Sequence, residues 1–133
     1  MWLALASVGH VHHATALSWL EKSEGDEVIF CRVTQKGLLR LLTNAPVMGG
    51  NVLTSSQAWD LYDRLRTETK ALFAPEPPGM EREWRDATRY AHTGPNFWTD
   101  AYLAAFAVAA GYTVATFDQG FKRHKAAKLH LLA

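Results

Sequence analysis

The chain has 133 residues, 14 Lys and Arg against 13 Asp and Glu, and a formal net charge of +1. Hydrophobic residues make up 48% and charged residues 20%, which excludes a disordered chain and leaves enough apolar surface for one domain with a proper core. The near-balance of charge excludes a protein that coats nucleic acid by bulk positive charge, so any such contact must use local patches.

Cys31 is the lone cysteine, so no internal disulfide can form and a reducing cytoplasm is the expected compartment. Residues 1–8 lack the basic leader and cleavage pattern of a secretory signal. The apolar run 101–117 is broken by Gly111 and bounded by Asp100 and Asp118, and it is shorter than the ~20 residues of a membrane span. No membrane association is expected.

In chain order, Trp2 to Ser7 reads as a helix already under way. A second helix is expected over about His12 to Lys22, with Leu17 and Leu20 toward the core. Glu24, Gly25 and Asp26 turn the chain into a short buried strand, Val28 to Cys31, where Cys31 acts as a small hydrophobe. Thr34 is a plausible N-cap for a helix with Leu38, Leu41 and Leu42 as its stripe, ended by Asn44-Ala45-Pro46. Thr54 and Gln57 form a capping-box pattern before a helix in which Ala58, Leu61, Tyr62 and Leu65 repeat, up to about Lys70. Ala71-Leu72-Phe73 is the next expected strand, and Trp84, Ala87 and Ala91 mark a helix from Met80.

Gly94-Pro95-Asn96 is a loop of turn formers. Trp98-Thr99-Asp100 opens a helix with Leu103, Phe106, Ala107 and Ala110 inward, Gly111 caps it, and Tyr112 to Phe117 is a β-branched strand ending at Asp118. Lys128 to Leu132 supplies a last strand. Strands separated by helices imply an α/β fold with a parallel sheet flanked by helices, in which ligands bind beyond the carboxyl ends of the strands. Asp118 at the end of a strand and Asp100 in the first turn of the preceding helix therefore point to one rim. Either aspartate alone has an ordinary structural reading, as a turn former or as a partner of the helix dipole.

Other polar features carry less. Arg32, Lys36 and Arg40 recur on one side of an expected helix, and Lys122, Arg123, Lys125 and Lys128 cluster near the end; solvated surface is the ordinary reading of both. The spacing of His10, His12 and His13 fits no standard structural zinc site, and these read as surface residues at the start of the second helix. Trp19, Trp59 and Trp84 fall at apolar helical positions and are expected in the core. No glycine-rich phosphate loop or nucleophile elbow is present, which argues against a small-molecule α/β enzyme.

Trp98-Thr99-Asp100-Ala101-Tyr102-Leu103-Ala104-Ala105, a glycine-containing connection, and Thr116-Phe117-Asp118-Gln119-Gly120-Phe121 together resemble the C-terminal half of the PIN domain, in particular the VapC-type toxins of bacterial toxin–antitoxin pairs. The resemblance extends upstream: Trp2-Leu3-Ala4-Leu5-Ala6 looks like the start of the family's first helix, His10 to His13 like the loop after it, and Arg32-Val33-Thr34-Gln35 through Leu42-Thr43-Asn44 like the second motif region. It implies a PIN-like fold over residues 1–133, metal-dependent hydrolysis of RNA phosphodiesters, Asp100 and Asp118 as ligands of Mg²⁺ or Mn²⁺, a cognate antitoxin as inhibitor, and a homodimer. Hard carboxylate oxygens suit such cations. Thr116 is a candidate for orienting a carboxylate or a metal-bound water.

Two parts of the family pattern are missing. The first metal-site aspartate ends an opening strand, in an Asp-x-Asn-x just before the position of Trp2, and this leads to the expectation that the natural chain starts upstream. In the second motif, Thr-x-x-Glu is replaced by Thr34 followed by Gly37, leaving Thr34 and Gln35 as neutral substitutes. These departures raise an alternative, a catalytically degenerate PIN-fold module that binds antitoxin or RNA.

Overall fold

In a computed structural model the chain is described over residues 1–90 and 94–133. It packs as two compact units, Met1–Pro75 and Glu76–Ala133.

In the first unit, helix α1 (Trp2–Ala6) packs on α2 (His13–Lys22) and on α3 (Arg32–Leu42). Strand β1 (Ile29–Phe30) lies parallel to β2 (Leu72–Phe73), with Phe30 beside Phe73. Phe30 is fully buried. Its ring stacks on Trp2 at 3.7 Å between centroids and meets Tyr62 edge-on at 5.0 Å. Phe30 and Tyr62, with Leu38 and Leu42 of α3 and Leu65 of α5 (Ser55–Thr69), belong to the buried apolar interior, and the half-buried Trp2 packs on it. A short turn of helix, α4 (Ala45–Met48), has Pro at its first turn, where no backbone donor is lost.

The caps follow the residues. Thr54 and Gln57 exchange side-chain and backbone bonds at the start of α5, as the capping-box pattern predicts. Lys70 ends that helix in a left-handed conformation, φ 55°. Thr34 differs from expectation: Cys31 is the N-cap of α3, and Thr34, at the third helical position, accepts the Cys31 backbone N–H at 3.0 Å. The extended backbone of Cys31 leaves the strand directly for the helix, so no residues remain to set the cap three positions later. Leu17 and Trp59, expected inside, are 38% and 48% exposed, while Ala16 and Ala58 take the buried positions beside them.

In the second unit, α6 (Met80–Ala87) packs on α7 (Phe97–Ala110). Trp84 joins them, donating its indole N–H to the Trp98 carbonyl at 3.2 Å and meeting the Tyr102 ring edge-on. Ala91, assigned from the sequence to the first of these helices, lies outside the described residues. Helix α7 begins one residue before Trp98, with Asn96 as cap, and buries Ala101, Ala104, Ala105, Phe106 and Ala107. Small side chains on so many faces explain a helix that reads as apolar all round yet is short of a span. Among the described residues, no helix is long and apolar enough to cross a membrane. Gly111 caps α7 at φ 74°, a conformation glycine adopts without strain. Strand β3 (Thr113–Thr116) then lies parallel to β4 (Lys128–Leu131). The fold is therefore α/β, with a short parallel strand pair in each unit.

Candidate active site

Two backbone changes of direction in the second unit place the carboxylates. Asp100 stands in the first turn of α7, its backbone N–H bonded to the Asn96 carbonyl at 2.9 Å. Asp118 stands two residues beyond β3, as the cap of a 3-10 turn over Gln119–Arg123. Thr116 fixes that exit: its hydroxyl accepts the Asp118 backbone N–H at 3.0 Å, and its carbonyl accepts the N–H of Leu132, the residue after the paired strand, at 2.9 Å. The hydroxyl thus bonds the backbone of Asp118 rather than the carboxylate it was expected to orient.

The Asp118 carboxylate is itself held, with Oδ1 accepting the Gly120 N–H at 2.7 Å. Arg123 closes the turn from the other side, its Nε donating to the Gly120 carbonyl at 2.9 Å.

Asp100 and Asp118 share an electrostatic field. Burial raises the Asp100 pKa above its ordinary 3.8, the negative charge of Asp118 raises it further, and the Arg123 guanidinium opposes both. A half-buried carboxylate beside a second carboxylate is an unfavourable arrangement for an empty surface and a favourable one for a cation. Among the described residues, no three His, Cys, Asp or Glu side chains gather into a ligand group. Two carboxylates alone would suit a cation that keeps several waters and takes remaining ligands from a phosphate.

Thr34 and Gln35 belong to the first unit. The Thr34 hydroxyl is engaged at both ends with the Cys31 backbone, and the nearly buried Gln35 accepts from Arg32 at 2.6 Å. The imidazoles of the 10–13 segment also serve the local chain: His10 Nδ1 accepts the His12 N–H at 3.1 Å, and His13 Nδ1 donates to the Ala4 carbonyl at 2.7 Å.

The sequence model of the PIN domain matches residues 1–127. The chain belongs to the PIN domain family. The match takes in Asp100, Thr116 and Asp118, and also Thr34 and Gln35. The chain is 42% identical over 138 aligned positions to Ribonuclease VapC41 of Mycobacterium tuberculosis, in strains CDC 1551 / Oshkosh and ATCC 25618 / H37Rv, covering 100% of this chain and 94% of the relative. This places it among PIN domains of the VapC type.

Sequence reasoning missed Gly120 and Arg123 as parts of this PIN rim. Asp118-Gln119-Gly120 is a recognisable Asx-turn pattern, so the first was within reach. Arg123 was hidden in a basic run that reads as solvated surface.

Proposed function

We propose that this PIN-domain chain is a metal-dependent endoribonuclease toxin, neutralised by a cognate antitoxin and acting as a homodimer in the cytoplasm. The observation that supports the catalytic part is the placement of Asp100 in the first turn of α7 and of Asp118 just beyond β3, with the Asp118 charge acting on a partly buried Asp100. The printed activity of the 42% identical relative, a ribonuclease, supports the choice of reaction.

In this reading Asp100 and Asp118 hold Mg²⁺ or Mn²⁺. When bound, such an ion polarises a phosphate and acidifies a water, the chemistry that phosphodiester hydrolysis requires. Thr116 and Gly120 keep Asp118 in one geometry, which lowers the reorganisation needed to receive the substrate. Arg123 lends positive charge to a rim that must accept a polyanion. The Thr34 hydroxyl and the Gln35 side-chain oxygen, the atoms that could serve a cation, are already engaged with Cys31 and Arg32, so the ligand role is assigned to the two aspartates.

The test is cleavage of a structured RNA by the purified chain with Mg²⁺ or Mn²⁺. Asp100→Asn and Asp118→Asn should each reduce the rate by about a hundredfold or more, the scale of removing a group that stabilises the transition state. Undiminished cleavage by both variants would overturn the assignment.

Gly37 at the place of the second-motif acid favours a second reading, a degenerate module that binds antitoxin or RNA without turnover. Calorimetric titration with Mn²⁺ separates the two, since the module gives no heat that depends on Asp100.

A further inference from the structure

A shallow, open concavity in the first unit lies between α3 and α5 and has a volume of about 480 Å³. Arg32, Lys36 and Arg40 line one wall, Trp59 stands on the other, and Leu39 and Ala58 are the apolar lining between them. Among the described residues, no acidic residue lines it. The three cations are four residues apart, so successive charges rise about 6 Å along the helix axis. Arg32 is the anchored end of the row, its guanidinium lying 4.6 Å from the centre of the Phe73 ring and bonded to Gln35. Lys36 and Arg40 are exposed, and among the described residues their side chains have neither an ion pair nor a hydrogen bond. Trp59 exposes 48% of its surface, edge-on to Tyr62.

We propose that this groove docks a single strand of RNA, with successive phosphates on Lys36 and Arg40 and a base stacked on the Trp59 indole. A row of cations facing an exposed aromatic ring is the combination that binds single strands, because phosphates meet the charge and any base offers a face to the ring. A helical peptide would ask for a continuous apolar stripe, and the lining offers Leu39 and Ala58 alone. The choice of RNA rests on the ribonuclease reading, while the position of the groove does not.

The experiment measures binding of a fluorescein-labelled single-stranded oligoribonucleotide to the full chain by anisotropy, in EDTA so that no cleavage occurs. Lys36→Glu combined with Arg40→Glu should weaken binding by about tenfold or more and flatten the salt dependence by ~1.4 in log–log slope, the value for two phosphates of a single strand. Trp59→Ala should weaken binding by roughly tenfold with the slope unchanged. Asp100→Asn, assayed separately with Mg²⁺, should lose cleavage while still binding the oligonucleotide in EDTA, so the nuclease reading and the groove fail separately. Parent-like binding by both groove variants, with native circular dichroism, overturns the proposal. So does a groove variant that shifts the protein from dimer to monomer without changing RNA affinity, which would assign the surface to a second copy.

Discussion

The Oδ1 atom of Asp118 accepts the backbone N–H of Gly120 at 2.7 Å, so the carboxylate is aimed by the chain two residues beyond it. A Cβ at Gly120 would lie 2.9 Å from that same oxygen and 3.1 Å from a terminal nitrogen of Arg123. Gly120→Ala is therefore expected to displace the carboxylate and the guanidinium by direct contact while leaving both residues in the sequence. Rates of RNA cleavage should fall by about tenfold or more, since small displacements at a reacting centre are costly. Stability should fall by only ~1 kcal/mol, the ordinary cost of a surface-turn change. Parent-like cleavage and Mn²⁺ affinity in the variant would show that the turn does not set the site.

Asp100 makes the rim sensitive to pH. Its folded pKa is raised, chiefly by burial and then by Asp118, so between the ordinary value of 3.8 and the raised one the folded state binds more protons than the unfolded. Stability must then fall as pH rises through that window and remain lower above it. Asp100→Asn removes the penalty: its melting temperature should exceed the parent's at pH 7 and match it below pH 3.8. Mn²⁺ should raise the parent's melting temperature at pH 7 by selective binding to the folded state, and leave the variant's nearly unchanged. An equal metal effect on both proteins would remove Asp100 from the ligand set.

What was legible in the sequence followed from local chemistry. The Thr54–Gln57 box and the Gly111 cap depend on residues within a few positions of each other, and each formed where the pattern placed it; the strand before Asp118 also formed but ends at Thr116, where the Thr116 hydroxyl takes the Asp118 N–H and turns the chain. Trp59 was misassigned because helical periodicity identifies an apolar face without saying whether a neighbour covers it; the small Ala58 is what packs. Thr34 was misplaced by one helical turn because a strand that runs straight into a helix leaves no loop to announce the cap. At the site, the two aspartates were visible through their flanking motifs. Arg123 was not, because its effect on Asp100 runs through space and leaves no spacing in the chain.

Phe30 carries the interior of the first unit. It is fully buried between the Trp2 face and the Tyr62 edge, contacts that add to the area it removes from water. Phe30→Ala should cost about 3–5 kcal/mol, a transfer loss plus the cavity left behind, while Phe30→Leu should cost about 1–2 kcal/mol because much of the volume is refilled. Urea titration measures both. A loss below 1 kcal/mol for the alanine variant would mean that the neighbours collapse into the space.

Arg123 couples the rim to a buried histidine. His124 is 5% exposed, and among the described residues neither ring nitrogen has a hydrogen-bond partner. Its pKa is lowered, first by burial and then by the adjacent Arg123 charge. The sign is opposite to that of Asp100: below the ordinary 6.5 the unfolded chain takes up a proton that the folded one refuses, so stability is lost as pH falls from 6.5 toward the depressed folded value. His124→Leu removes both the unpartnered nitrogens and this titration, and should hold its melting temperature between pH 7 and pH 5.5 while the parent's declines. Arg123→Gln should raise the pKa of His124 and of Asp100 together, because the same positive charge disfavours an imidazolium and favours a carboxylate. NMR titration of the two side chains reads both shifts, and movement of one without the other would break the link between them.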